Sequence, residues 1–274
     1  NKPATYEILK QKGAANLSSF DTVGLDKPGF KVMHIADIDF RTHYSTLKKA
    51  LEALKEWSDN HPTHTTIFIM VEAKDSGIPL FPNSAEVLPF TEDAFDEMDD
   101  LVASVLGKEK IIVPDQIRGD YQSLEKAVLA KNWPTLKSSL GKFVFMLLPS
   151  AGGVSEGNAY IKSHPLLDNR MMFVQSEIGQ AHAAFLLLDN AISRKQDIIN
   201  AVASGYLVRT RSDIETYEAK INDMTRANAA FESGAQVVST DFYKPGNAYG
   251  TSYMVKMPNG LPVRLNPVNA TGDE

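Results

Sequence analysis

The string TTIFIMVEAK, residues 65 to 74, brings a carboxylate and an ammonium to one end of an otherwise apolar run. Strand alternation puts Thr66, Phe68, Met70, Glu72 and Lys74 on one face and Ile67, Ile69, Val71 and Ala73 on the other. A face that starts apolar and ends charged is what a parallel sheet shows where strand C-termini present reacting groups, although an ion pair closing a strand gives the same two residues. His34, in KVMHIADIDF, shares its face with Val32 and Ala36. It reads as a proton carrier or as a hydrogen-bonded core histidine. Arg209 and Arg211 share a face of YLVRTRSD and would clamp an anion as paired guanidiniums, or be bridged by a carboxylate. In AQVVSTDFY, the face Val237, Ser239, Asp241, Tyr243 also turns polar at its end. Four such endings gathered on one rim would make a common site. The remaining histidines, His43, His61, His64, His164 and His182, have no metal-motif spacing.

The elements that must position these groups alternate along the chain. Apolar runs at 30 to 36, 65 to 74, 142 to 148, 171 to 175, 206 to 212 and 235 to 242 predict strands, with a short IIVPD at 111 to 115. Helical periodicity occupies 45 to 57, 91 to 107, 123 to 129, 191 to 205 and 212 to 234, and TYEILKQKGA can open the chain as a helix. Thr91 is placed as an N-cap, and Gly107 and Gly234 as C-terminal stops. Strand then helix, repeated, predicts parallel β/α units in one domain spanning 1 to 274. Segments 76 to 90, with three prolines, and 149 to 160, rich in Gly and Ser, read as long loops after strands.

Composition narrows the function. The 274 residues are 43% hydrophobic and carry net charge −6, which excludes a disordered chain. No run approaches the ~18 apolar residues of a membrane-spanning helix. Without a Lys/Arg-rich block, no nucleic-acid partner is expected. With no cysteine there are no disulfides, thiolate nucleophiles or zinc-thiolate sites, so a metal would rest on oxygen or imidazole. Asn1 is not a start methionine, and a processed, secreted or periplasmic protein is the expectation.

The strings from Gly29 to Asp75, Ile111 to Leu147 and Val208 to Tyr243 carry H-x-A-D-I-D, E-A-K-D, P-D-x-x-R-G and S-G-A-Q-x-V-S-T-D in that order. Together they resemble the bacterial calcium-dependent phosphatidylinositol-specific phospholipase C family, from about Gly29 to Val268. The resemblance implies a TIM-type (β/α) barrel that cuts the phosphodiester of phosphatidylinositol, giving diacylglycerol and an inositol phosphate, cyclic in the first instance. It implies Ca²⁺ as cofactor, the substrate lipid and a peripheral membrane surface as partners, and a monomer. His34 matches the second family histidine and would donate a proton to the leaving glycerol oxygen or stabilise the phosphoryl group. Glu72 matches a calcium-ligand carboxylate and Lys74 a phosphate contact. Arg118, Arg209, Arg211, Asp241 and Tyr243 are expected at the rim as substrate-binding residues.

The chain also departs from the pattern. The family's first strand carries a His-Asn pair and its second a Glu-x-Asp, and neither motif is found in this sequence. The barrel therefore cannot be completed from these residues, and nothing in the spacing of Asp21, Asp26, Asp37 or Asp39 makes them substitute ligands. A catalytically inactive phosphoinositide-binding relative and a glycerophosphodiester phosphodiesterase stay open beside the phospholipase.

Overall fold

The computed structural model describes residues 4–14, 20–148, 158–261 and 263–270. Helices α1 (Ala4–Gln11) and α2 (Leu47–Asn60) precede strand β1 (Ile67–Glu72), and α3 (Glu92–Leu106), α4 (Pro114–Arg118) and α5 (Leu124–Leu129) lead to β2 (Phe143–Leu148). β3 (Met172–Val174) and β4 (Phe185–Leu187) follow. The chain continues through α6 (Lys195–Ser204), β5 (Leu207–Arg211), α7 (Tyr217–Ile221), α8 (Thr225–Glu232) and β6 (Val237–Ser239). Hydroxyl caps set three helix starts: Thr46 accepts from the Lys49 N–H, Thr91 from Ala94 and Ser123 from Lys126. Gly107 closes α3 at φ 88°, a left-handed conformation that suits glycine.

All strand pairs are parallel, β1-β2-β3 in one sheet and β4-β5-β6 in the other. A single bridge between Gln175 and Phe185 joins them, with the Ser176 N–H donating to the Phe185 carbonyl at 3.0 Å. Six staves thus follow one another in chain order, and the described residues close no barrel. β2 lies in the middle of the first sheet with Phe143, Val144, Phe145, Met146 and Leu147 all buried, as a strand covered on both faces must be. β1 is the edge. Its Ile67, Ile69 and Val71 pack on the core while Phe68 and Met70, on the other face, are 38% and 40% exposed.

Some expectations change. Residues 30 to 36 form no strand, only isolated bridges Lys31 to Thr46 and Ile35 to Asp39. The cause is Asp37, which turns the chain at φ 65° so that the His34 and Ile35 N–H groups both reach the Asp39 carbonyl. Its buried carboxylate accepts from the Ala4 N–H at 2.8 Å and the Ala85 N–H at 2.6 Å, fastening α1 and the 76–90 segment to the turn. The helix expected over 212 to 234 is two, because Asn222 is left-handed at φ 56° and Asp223 caps the Thr225 N–H at 2.8 Å. In 111 to 115 only Ile111 pairs, with Phe143, before Pro114 opens α4. β4 has no counterpart among the expected strands. Segment 76–90 is irregular, as its prolines require, whereas most of 149 to 160 lies outside the described residues.

Among the described residues, the link from β2 to β3 has no helix to hold it. A buried polar group does so instead: Tyr160 donates to Asp99 of α3 at 2.9 Å, and Arg170 donates to Asp96 at 2.5 Å and to the Tyr160 carbonyl at 2.9 Å. Burial pushes the Asp99 carboxyl up to about 6, outweighing the Tyr160 hydrogen bond and the Arg170 charge that pull it down.

Candidate functional site

Two groups of polar side chains stand where strands end. The first surrounds β1. His34 Nδ1 lies 2.9 Å from Asp39 Oδ2, a contact the tight Ile35 to Asp39 turn creates by folding the chain back on itself. Lys74, just beyond β1, donates from Nζ to the His34 carbonyl at 2.9 Å and sits 3.4 Å from Glu72 Oε2. One ammonium therefore ties the histidine turn to the strand-end carboxylate across 40 residues of sequence. The His34 and Asp39 side chains are 62% and 60% exposed, so the imidazole is reachable by a large substrate. With Nδ1 on the Asp39 carboxylate, the opposite ring nitrogen is the one free to meet a ligand.

The second group lies at β4, β5 and β6. Asp189, two residues past β4, takes Arg209 Nη1 at 2.5 Å and stands 2.9 Å from Arg211 Nε. Two guanidiniums on one carboxylate leave one positive charge, which Asp241, the second acid acting on Arg209, offsets. Burial pulls the Arg209 pKa down and the Asp189 charge pulls it back up, with Arg211 opposing and Asp241 assisting. Arg209 Nε is buried without a hydrogen-bond partner. Asp241 follows β6, with its N–H on Asp213 Oδ1 at 3.2 Å, and Tyr243 is exposed beyond it. Arg118 belongs with neither group. Its Nη2 donates to Asp115 at 2.5 Å, and Asp115 also takes the Asn169 N–H, so it lies where the chain enters β3.

Asp39 and Asp189 are the partners that sequence reading did not assign. Asp39 pairs with His34 only because of a turn that periodicity does not report. Asp189 would have followed from the strand-end rule had FLL at 185 to 187 been seen as a strand.

Parallel strands that end in a carboxylate–ammonium pair and a guanidinium pair, with an imidazole–carboxylate turn tied to the first, define an α/β protein equipped to meet anionic esters. The family model for phosphoinositide phospholipase C, Ca²⁺-dependent, matches residues 1–267, and the chain belongs to that family. Among solved structures, it is similar to a Ca²⁺-dependent phosphatidylinositol-specific phospholipase C from Streptomyces antibioticus, with TM-score 0.54 and 17% identity over 73% of this chain and 72% of that one. That likeness is one of fold. It is also similar to a calcium-dependent phosphoinositol-specific phospholipase C from a Gram-negative bacterium, Pseudomonas sp., in its myoinositol complex, at TM-score 0.45 and 20% identity over 66% and 64% of the chains. A second crystal form of the Pseudomonas protein gives TM-score 0.47 and 18% identity over 72% and 73%. No curated protein matches the chain.

The family is one of Ca²⁺-dependent enzymes. The described residues do not furnish a calcium site: they contain no group of three or more His, Asp or Glu side chains able to hold a metal. Ca²⁺ takes about six to eight oxygens, and Glu72 already faces the Lys74 ammonium.

Proposed function

We propose that the protein cleaves the phosphodiester of phosphatidylinositol to diacylglycerol and a cyclic inositol phosphate. The observation that carries this reading is the linked set His34, Asp39, Lys74 and Glu72 at the end of β1. In the proposed reaction, the inositol 2-hydroxyl gives up its proton to water and forms the new bond to phosphorus as the bond to the glycerol oxygen breaks. Asp39 holds the His34 ring through Nδ1, so that the other ring nitrogen delivers a proton to the departing oxygen. Lys74 holds the turn in place through the His34 carbonyl and sets a positive charge beside the phosphoryl group. Arg209 and Arg211 bind the anionic or hydroxyl-rich head group, with Asp241 and Tyr243 around it. Arg118, tied to Asp115, has no part in this reading. Phosphorus NMR of phosphatidylinositol micelles tests it: a cyclic phosphate resonance is expected, and unchanged lipid would contradict it.

A second reading, a phosphoinositide-binding relative without turnover, is favoured by the absence of a three-ligand metal cluster among the described residues. It predicts head-group binding with no product. Substrate in a bilayer makes the membrane encounter peripheral, and no helix among the described residues is long and apolar enough to span. A secreted or periplasmic location would suit a cysteine-free lipid-cleaving protein.

A further inference from the structure

The turn that carries His34 is held by a side chain to which the proposed chemistry gives no part. Between Ile35 and Asp39 the chain doubles back, with Asp37 left-handed at φ 65°, a conformation uncommon outside glycine. The His34 and Asp39 side chains point outward, and no residue of 34–39 joins the apolar core. Asp37 is the buried member of the turn, 5% exposed. A turn without apolar packing keeps its shape through its polar contacts alone.

A carboxylate on a surface turn ordinarily belongs in water. Here each oxygen meets a different part of the chain. Asp37 Oδ1 accepts from the Ala4 N–H at 2.8 Å and Oδ2 from the Ala85 N–H at 2.6 Å, 33 and 48 residues away. Ala4 opens α1, whose first-turn N–H groups lack partners inside the helix and favour an anion. Rings hold α1 there independently: Tyr6 packs edge-on against Phe20, and Phe20 against the buried Phe40, each at 4.8 Å. Ala85 follows a tight turn of segment 76–90, in which the Ser84 N–H donates to the Phe81 carbonyl at 3.0 Å. The far end of that segment is fixed by Phe90, stacked on Phe95 of α3 at 5.2 Å. From the opposite side, Lys74 takes the His34 carbonyl at 2.9 Å.

We infer that Asp37 is a positioning residue for His34: its carboxylate pins the turn between α1 and segment 76–90, and so keeps the imidazole on Asp39 with the opposite nitrogen turned to the leaving oxygen. The inference rests on the proposed function for the proton that His34 delivers. Without the carboxylate, two N–H groups lose their partner, and the turn keeps only its own backbone bonds and Lys74. Proton delivery tolerates little displacement, since a shift of about 1 Å costs on the order of 10²-fold in rate.

Steady-state kinetics of the full chain on two water-soluble substrates tests it. Glycerophosphoinositol has an alkoxide that needs a proton to leave, whereas the nitrophenyl ester of inositol phosphate releases a nitrophenolate that does not. Asp37→Gly removes both hydrogen bonds and relaxes the backbone, and Asp37→Asn keeps one acceptor oxygen. On glycerophosphoinositol, Asp37→Gly should lower kcat about tenfold to 10²-fold with KM changed less than about twofold, and Asp37→Asn should fall between it and wild type. On the nitrophenyl ester the loss should be several times smaller. Equal losses on the two substrates, no loss, or a loss confined to KM would overturn the inference. Ring nitrogen NMR of His34, assigned with His34→Ala, reads the positioning without turnover. In alkaline buffer, wild type should show the neutral ring protonated at Nδ1, and Asp37→Gly a mixture of the two tautomers. Identical spectra would overturn the inference. That spectral difference with no turnover by any of the proteins would sink the enzyme and leave the role of Asp37 standing.

Discussion

At the scale of single residues, the account turns on His34 and on what holds it. Asp39 contacts Nδ1 of the His34 ring, opposite the nitrogen proposed to deliver the proton, so the role proposed for it is positioning. Asp39→Asn should lower kcat between about tenfold and 10⁴-fold, the larger figure being the cost of a wrongly held tautomer, with little change in KM. Steady-state kinetics on a soluble substrate measures the split; a change confined to KM would contradict the assignment. Asp99 gives a second residue-scale test, through pH. Burial raises its carboxyl from 3.8 to about 6, so the folded state takes up a proton more readily than the unfolded chain. The resulting stabilisation is full below pH 3.8 and is lost as pH rises through about 6. Relative to Asp99→Asn, wild type should therefore gain on the order of 1–3 kcal/mol between pH 7.5 and pH 4.5 in urea unfolding. A difference that does not vary with pH would contradict this environment for Asp99.

At the scale of elements, what was legible in the sequence was what repeats. The strand at 67–72, the buried run at 143–148 and the capped helix from Thr91 to Gly107 appear near the positions their periodicity dictates. Elements set by single backbone conformations were not legible. Asp37 and Asn222, both left-handed, break a predicted strand and a predicted helix, and neither belongs to a periodic pattern. β4, three residues long, is too short to show a period at all. The same limit explains the site: Glu72, Lys74, Arg209 and Arg211 announced themselves by strand alternation, while Asp39 depended on a turn. One loop-borne contact makes an element-scale prediction. Gly205, after α6, has φ 108°, and a Cβ there would collide with the Val128 carbonyl while its own carbonyl accepts from Trp133 Nε1 at 2.7 Å. Gly205→Ala should destabilise the fold by at least about 2 kcal/mol in chemical unfolding, because a strained backbone and a backbone clash add. An unchanged unfolding midpoint would show that α6 and α5 are not packed this closely.

At the scale of the whole molecule, the described residues hold six parallel strands in chain order that close no barrel, and β1 is left as an edge whose Phe68 and Met70 are partly exposed. Exposed apolar side chains on an edge strand invite association between molecules. Met70→Lys should accordingly reduce concentration-dependent light scattering without lowering thermal stability; equal scattering would place the association surface elsewhere. The fold and family together bring the chain to phosphoinositide chemistry, and the charged ends of β1, β4, β5 and β6 supply its candidate groups. The central claim is that His34 protonates the leaving oxygen of a phosphatidylinositol phosphodiester. Its most direct test is release of water-soluble inositol phosphate from phosphatidylinositol vesicles by wild type and His34→Ala, each assayed with calcium and with a chelator. The account predicts release by wild type and a loss of about 10²–10⁴-fold in His34→Ala; equal release by the two proteins would contradict it.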